Sequence, residues 1–171
     1  MFRMSKISDY GLRLVLTLSQ RYPGGDNYSA RDLACITELP KPVVSKALKM
    51  LAREGLLSSE RGVNGGYRLV NGPDKITVGQ VLRALEGPIL IKGCLEADAD
   101  CANIGKCKVR FNWERINRSI GKVLDSVTLT DLMTPPGEDA FVQITMEKPL
   151  RAEGEFTYSV SKAKKLLESR Y

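Results

Sequence analysis

Three of the four cysteines fall in one short stretch between Gly93 and Lys108, as Cys94, Cys101 and Cys107 in a C-x6-C-x5-C spacing. That stretch is rich in small and charged residues and offers few bulky side chains against which a cysteine would pack. Thiols this dense in a polar loop point to ligation rather than burial, and soft thiolates select zinc, copper(I) or iron–sulfur clusters. The spacing differs from the C-x2-C runs of ferredoxins and from the paired C-x2-C units of zinc ribbons. Three thiols leave a ligand position to be filled from elsewhere. Lys106 and Lys108 favour thiolate over thiol at Cys107.

The rest of the composition narrows what such a site serves. The chain has no histidine. This removes the commonest general base, any Ser-His-Asp or Cys-His pair and any histidine-containing metal site. No nucleotide-binding glycine motif is present either, so an enzyme is not expected. At 171 residues, 43% hydrophobic and 27% charged, the chain is one large domain or a small one with appendages, and it can bury a core. No apolar run approaches the ~18 residues of a membrane span, and the first residues lack a signal-peptide pattern. The expectation is therefore a cytoplasmic protein with no membrane partner, whose clustered cysteines ligate or do redox chemistry instead of forming disulfides. The net charge of +6 is uneven, since residues 1–90 hold 13 Lys/Arg against 8 Asp/Glu. A basic first half makes a polyanion a plausible partner.

The elements that position the loop can be read from periodicity. Ile7, Tyr10, Leu14 and Leu18 share helical spacing, widened by Leu12, Val15 and Leu16, which predicts a helix over 6–20 stopped by Tyr22-Pro23-Gly24-Gly25. Ser29 and Asp32 have the spacing of a capping box before a short helix through Leu33, Ala34 and Cys35. Glu38-Leu39-Pro40-Lys41-Pro42 makes a turn. A helix over about 41–54 then puts Val44, Ala47, Leu48 and Leu51 inward and a basic face outward, with Gly55 as its stop. Two helices joined this way form either a helix-turn-helix or an ordinary packing pair.

The residues after Gly55 favour the helix-turn-helix. Leu56–Arg61 and Tyr67–Val70 alternate as strands around Gly62-Val63-Asn64-Gly65-Gly66, a hairpin that reads as a wing. Arg61 and Arg68 flank its tip, and its glycines would let backbone approach a phosphate or a groove. On DNA the second helix enters the major groove through its N-terminal half. Ser45 and Lys46 are the candidates for base edges, Lys41 and Lys49 for phosphates, and Arg61 and Arg68 for the wing's contacts. The bland alternative for each cation is a solvated surface charge.

Thr77 and Gln80 again have capping-box spacing, before a helix with Val78, Val81, Leu82 and Leu85 on its apolar face. Beyond the cysteines, Val109, Trp113, Ile116, Ile120, Val123 and Val127 step by four and three residues, a narrow seam suited to pairing with a second copy. It is too short for an independent coiled coil, and its bland alternative is packing on its own domain. A short final turn comes at Thr128–Met133, and Thr134-Pro135-Pro136-Gly137 marks a boundary. The organisation expected is a winged helix-turn-helix over 1–75, a connecting helix over 76–92, the cysteine loop over 93–108, a dimerisation helix and final turn over 109–134, and a loosely docked tail over 135–171. The fold class is mainly α with a small β-hairpin wing, as a homodimer.

The chain resembles the Rrf family of winged-helix regulators, the group with IscR-like and NsrR-like iron–sulfur repressors. The likeness covers about residues 4–133. It rests on Lys6-Ile7-Ser8-Asp9-Tyr10-Gly11-Leu12-Arg13, on Leu51–Leu57, on the wing from Arg61 to Leu69, and on the three-cysteine loop. Regulators of SUF-system cluster assembly are similar also at Leu85-Glu86-Gly87-Pro88 and at Asn112-Trp113-Glu114-Arg115-Ile116-Asn117. The resemblance implies a homodimer that represses transcription from a double-stranded operator, with a 2Fe–2S or 4Fe–4S cluster as sensor. IscR-like members carry a histidine three residues after the third cysteine, where this chain has Arg110, which cannot ligate iron. NsrR-like members supply an aspartate from the partner subunit, and the matching residue is Asp9. Cys94, Cys101 and Cys107 of one subunit with Asp9 of the partner subunit is thus the implied ligand set. Cys35, placed in the helix-turn-helix core, and Glu96, Asp98 and Asp100 are rivals, and the plain role for Asp9 is a carboxylate at a helix start. A nitric-oxide or redox-responsive repressor of the same fold, and a small iron–sulfur or zinc protein that binds no DNA, are the competing functions.

Overall fold

The computed structural model describes residues 4–24, 27–62, 65–91, 95 and 107–134. Among them run α1 (Lys6–Ser19), α2 (Ala30–Thr37), α3 (Lys41–Arg53), a hairpin of β1 (Leu57–Glu60) and β2 (Gly66–Leu69), a 3-10 turn at Pro73–Lys75, α4 (Val78–Glu86), α5 (Arg110–Ser126) and α6 (Leu129–Met133). This is the mainly helical fold with a hairpin wing that the patterning predicts. The 3-10 turn alone had no signal in the periodicity. Cys94, Cys101 and the tail beyond Thr134 lie outside the described residues.

Leu14 and Val15 of α1, Leu33 of α2, the α3 face, Leu57 and Leu69 of the hairpin, and Val81 and Leu85 of α4 bury one another in a single core. The inward face of α3 is the expected one, Val44, Ala47, Leu48 and Leu51. In α1 the buried stripe is different. Ser8 and Gly11 join Leu14, Val15 and Leu18, while Ile7 and Tyr10 are only half-buried. The cause is the close crossing of α4, whose Leu85 fills the space that a Cβ on Gly11 would need. A small-residue notch, not a bulky stripe, faces that neighbour.

Local chemistry sets the helix ends. Capping boxes Ser29/Asp32 and Thr77/Gln80 start α2 and α4, and Thr128/Asp131 starts α6. Between α2 and α3, Glu38 adopts a left-handed φ of 56° and Leu39 N–H donates to the Ala34 carbonyl at 3.2 Å. Arg13 of α1 donates to the Thr37 carbonyl at 3.2 Å, placing a cation at the C-terminal end of α2, where the helix dipole favours it. These contacts fix the turn that aims α3.

The hairpin pairs Leu57 with Leu69 and Glu60 with Gly66, antiparallel. Tyr28 adds an edge, exchanging both backbone hydrogen bonds with Tyr67 at 3.1 and 2.9 Å. Gly66 allows this, because a Cβ there would lie 2.6 Å from the Tyr28 carbonyl carbon. This wing glycine, expected to admit a ligand, serves the sheet.

Residues 76–78 and 127–129 stitch the second half to the core: Val78 N–H donates to the Val127 carbonyl at 2.8 Å and Leu129 N–H to the Ile76 carbonyl at 2.9 Å. Leu129 is thereby fully buried against Ile76, so the short final helix is part of the core. Arg83 and Asp125 pair at 2.6 Å across α4 and α5, over the notch left by Gly79. A helix of nine residues is about 13 Å long and one of 17 about 25 Å. The two are joined where α4 begins and α5 ends, and past the end of α4 Ile91 N–H reaches Asn117 Oδ1 in the middle of α5 at 3.1 Å.

Candidate functional site

The outer face of α3 carries Lys41, Lys46 and Lys49, all exposed, with Ser45 half-buried beside them. Pro40 precedes the helix and Pro42 occupies its first turn, where a missing N–H costs nothing. Val43 and Val44 N–H both donate to the Pro40 carbonyl, at 3.0 and 3.1 Å, and the N-terminus presents the positive end of its dipole, which favours an anion. Lys46 and Lys49 stand on the opposite side of the helix from Val44, Ala47, Leu48 and Leu51, so burial of the apolar face leaves them outward, while Lys41 is exposed as the first residue of the helix.

The wing adds cations of two kinds. Arg61 is exposed, and among the described residues no carboxylate pairs with it. Arg68 instead binds its cross-strand neighbours, donating to Glu60 at 3.0 Å and to Ser58 at 3.2 Å. Glu60 also accepts from Asn27 at 2.8 Å. Arg68 thus contributes less net field than Arg61. Sequence reasoning missed Arg21, which lies with its guanidinium 4.9 Å over the Tyr28 ring and donates to the Tyr28 hydroxyl at 3.0 Å.

Of the implied metal ligands, the described residues include Cys107 and Asp9. Cys107 is exposed immediately before α5, and Asp9 is exposed in the first turn of α1. Neither side chain is engaged in a hydrogen bond or ion pair among the described residues. Arg110, which stands where the resemblance implies a histidine, opens α5 and pairs with Glu114 at 3.2 Å. The cysteine expected in the core, Cys35, is exposed on α2. Its helix buries Leu33 and Thr37, four residues apart, and Cys35 falls on the other side.

A carboxylate that sequence reasoning did not single out lies between these parts. Glu86, in the last turn of α4, accepts through Oε1 from the Ser5 backbone N–H at 2.9 Å and the Ser5 hydroxyl at 2.5 Å. The hydroxyl of the fully buried Ser8 donates to the same oxygen. The Ser5 hydroxyl first and the Ser8 hydroxyl next hold Glu86 below the usual glutamate range, against a smaller desolvation effect. Just beyond, Gly87 takes a φ of 79° and the chain leaves α4, with Ile91 N–H held by Asn117 Oδ1 of α5 at 3.1 Å. Glu86 and Asn117 both belong to the flanking motifs of the resemblance. The signal was present, but only as motif.

The expected seam is uncovered over part of its length. α5 has no buried residue. Val109 is 53% exposed and Ile116 45%, with Phe111 beside them at 64%, while Trp113, Ile120, Val123 and Val127 are half-buried. Val109 and Val127 cap the helix instead of lying inside it. No described helix is long and apolar enough to cross a membrane.

Residues 4–135 match the family model "Rrf2: Iron-dependent Transcriptional regulator". The chain is 35% identical to the HTH-type transcriptional regulator CymR of Bacillus subtilis over 130 residues, 76% of this chain and 88% of that protein. It is 28% identical to the HTH-type transcriptional repressor NsrR of Streptomyces coelicolor, over 84% of this chain and 96% of that one. Among solved structures, CymR, described as the global cysteine regulator of B. subtilis, superposes with a TM-score of 0.60 at 34% identity, covering 78% and 97% of the two chains. IscR of T. potens does so at 0.56 and 28%, covering 80% and 94%.

Proposed function

The chain belongs to the Rrf2 family of DNA-binding transcriptional regulators, not to an enzyme family, and from that premise we propose a cytoplasmic homodimeric repressor of iron–sulfur assembly genes that senses through a bound iron–sulfur cluster. The observation that carries the DNA half is the exposed basic face of α3 beside the wing, with Lys41, Lys46, Lys49 and Arg61 outward. Two copies joined through α5 present two such faces related by a two-fold axis, which suits paired half-sites on an operator. The uncovered apolar residues on the N-terminal half of α5 supply the contact.

The donor chemistry fits a cluster. Three cysteines with wide spacing, an exposed Cys107 at the root of α5 and an exposed Asp9 on α1 offer soft thiolates and one harder oxygen. Cys94, Cys101 and Cys107 would hold iron from one subunit and Asp9 from the other. When bound, the group supplies redox and ligand-exchange chemistry that a side chain lacks. The chain's own part is to place that loop where α4 ends and α5 begins. Gly87 turns the chain, Asn117 holds Ile91, and Arg83 ties α4 to α5. A change in loop order then bears directly on the helix that pairs the subunits. Support for assembly genes as targets comes from the motifs at Leu85–Pro88 and Asn112–Asn117.

The test is anaerobic purification with an absorption spectrum and iron count, followed by selection of bound sites from randomised duplex DNA with and without iron. Iron bound through the cysteines, and a palindromic site whose affinity depends on iron, are expected. Lys46→Ala should weaken that site by about 1–3 kcal/mol if it reads a base edge, and Lys49→Ala should lower the salt slope by about one unit. The likeness to CymR favours a second reading, with the same fold and DNA surface but a different signal, cysteine supply. Iron-free protein with full operator affinity would support it.

A further inference from the structure

Helix α1 starts without a side-chain cap of its own. Ser5 occupies the capping position, yet its hydroxyl does not accept from the first turn. It donates away, together with its backbone N–H and the Ser8 hydroxyl, to a single carboxylate oxygen of Glu86. For α4 this carboxylate is at the wrong end, since a negative charge in a last turn opposes that helix's dipole. For α1 it is at the right end. A residue unfavourable to its own helix, with three donors from another helix aimed at it, is placed for the contact between them.

Three further features show how tightly that contact is set. Ser8 is fully buried, so its hydroxyl depends on this acceptor. Gly11, one turn on, is a notch filled by Leu85, the residue preceding Glu86. Gly87, on its other side in the chain, ends α4 at a φ of 79°. First turns of helices fray, and Asp9 lies in this one, next to Ser8 and on the exposed side. A ligand offered from a fraying turn loses affinity to the cost of ordering it.

We propose that Glu86 is a positioning residue for the ligand at Asp9: it caps α1 from across the core and holds ordered the first turn that carries Asp9. This rests on the reading of Asp9 as an iron ligand given above. It adds that occupancy of the site and order at the start of α1 are linked through one carboxylate, as outer residues commonly tune a metal site by orienting its ligands.

Two measurements on the full-length protein test it: amide hydrogen exchange at Ser5 and Ser8, and the rate of iron loss to a chelator after anaerobic reconstitution with ferrous iron and sulfide. Glu86→Ala should speed exchange at both amides and iron loss by roughly tenfold. Glu86→Gln keeps an acceptor oxygen and should restore most of both. The Asp9→Asn, Glu86→Ala double variant should lose iron no faster than Asp9→Asn alone. Unchanged exchange in Glu86→Ala overturns the proposal, as does iron loss in the double variant that multiplies the two single effects. If Asp9→Asn keeps the wild-type rate while Glu86→Ala exchanges faster, Asp9 is no ligand, and Glu86 is only a cap. Wild-type protein that takes up no iron overturns the cluster reading itself, whatever the exchange shows.

Discussion

The head of this molecule and its long helix obey different rules. In α1 to α4 every helix has an apolar face with a partner in the same chain, and Leu14, Leu33, Leu48 and Leu51 are wholly buried. In α5 no residue is buried, although its apolar seam is as regular as any in the head. The head satisfies itself. Among the described residues the long helix is held at Asp125 by Arg83 and at Asn117 by Ile91, and near Cys107 the side chains of Val109, Phe111 and Ile116 stay exposed. A regular seam left partly on solvent is what the proposed pairing of two copies would cover, since exposed apolar patches of this kind mark interaction surfaces. In the proposed function DNA reading and pairing fall to separate parts, and the cysteine stretch lies in sequence between them.

Substitutions can break that contrast. The largest effect is expected in the head: Leu48→Ala, at a fully buried position, should cost about 2–5 kcal/mol by urea denaturation. A loss below about 1 kcal/mol would mean the core is far looser than its burial indicates. In α5, Ile116→Glu should shift the chain from dimer to monomer by sedimentation, yet change the stability of the head by only about 0.5 kcal/mol or less, as exposed sites do. Unaltered sedimentation would return the seam to its bland role. Between these in local cost is Ser29→Ala, which removes the capping box of α2 and should cost about 1 kcal/mol in melting experiments without altering oligomeric state.

The smallest effect is in pH dependence. Glu86 is held below its ordinary value by hydrogen bonds from Ser5 and Ser8. A depressed folded pKa adds stability that is complete above the unfolded value, near 4.3, and is lost as pH falls through the folded one. Stability should therefore fall on acidification below about pH 5, with Asp32 and Asp131, held low by Ser29 and by Thr128, contributing in the same sense. Glu86→Gln cannot titrate, so its stability curve should be flatter over that window. Equal slopes for the two proteins would show that Glu86 has no share in the effect.

Much of the head was legible because its signals are local. Capping boxes at Ser29 and Thr77, the stop at Gly55, and the four-residue inward face of α3 depend on spacing within one helix, and spacing is visible in the chain. The stripe of α1 differs from its pattern at Ile7 and Tyr10 because hydrophobicity ranks Ser8 and Gly11 as surface residues, whereas a close helix crossing requires small ones. Cys35 departs from expectation for the converse reason: a small apolar side chain fits either face of a short amphipathic helix. The hydrogen bonds of Glu86 join residues 81 and 78 positions apart, and no periodicity relates them.

The sequence by itself determined the kinds of parts: a basic helix-turn-helix with a wing, a three-thiol loop without histidine, and a heptad-like helix after it. Those come from residue type and short-range spacing, which decide how an individual segment is patterned. Only the tertiary structure decided how they meet. It spent Gly66 on a strand edge, tied Arg68 to Glu60, turned Cys35 outward, and brought Glu86 onto the start of α1. The physical reason is that a contact between distant segments depends on the angle and depth at which helices pack, and those are set jointly by all the side chains in the core.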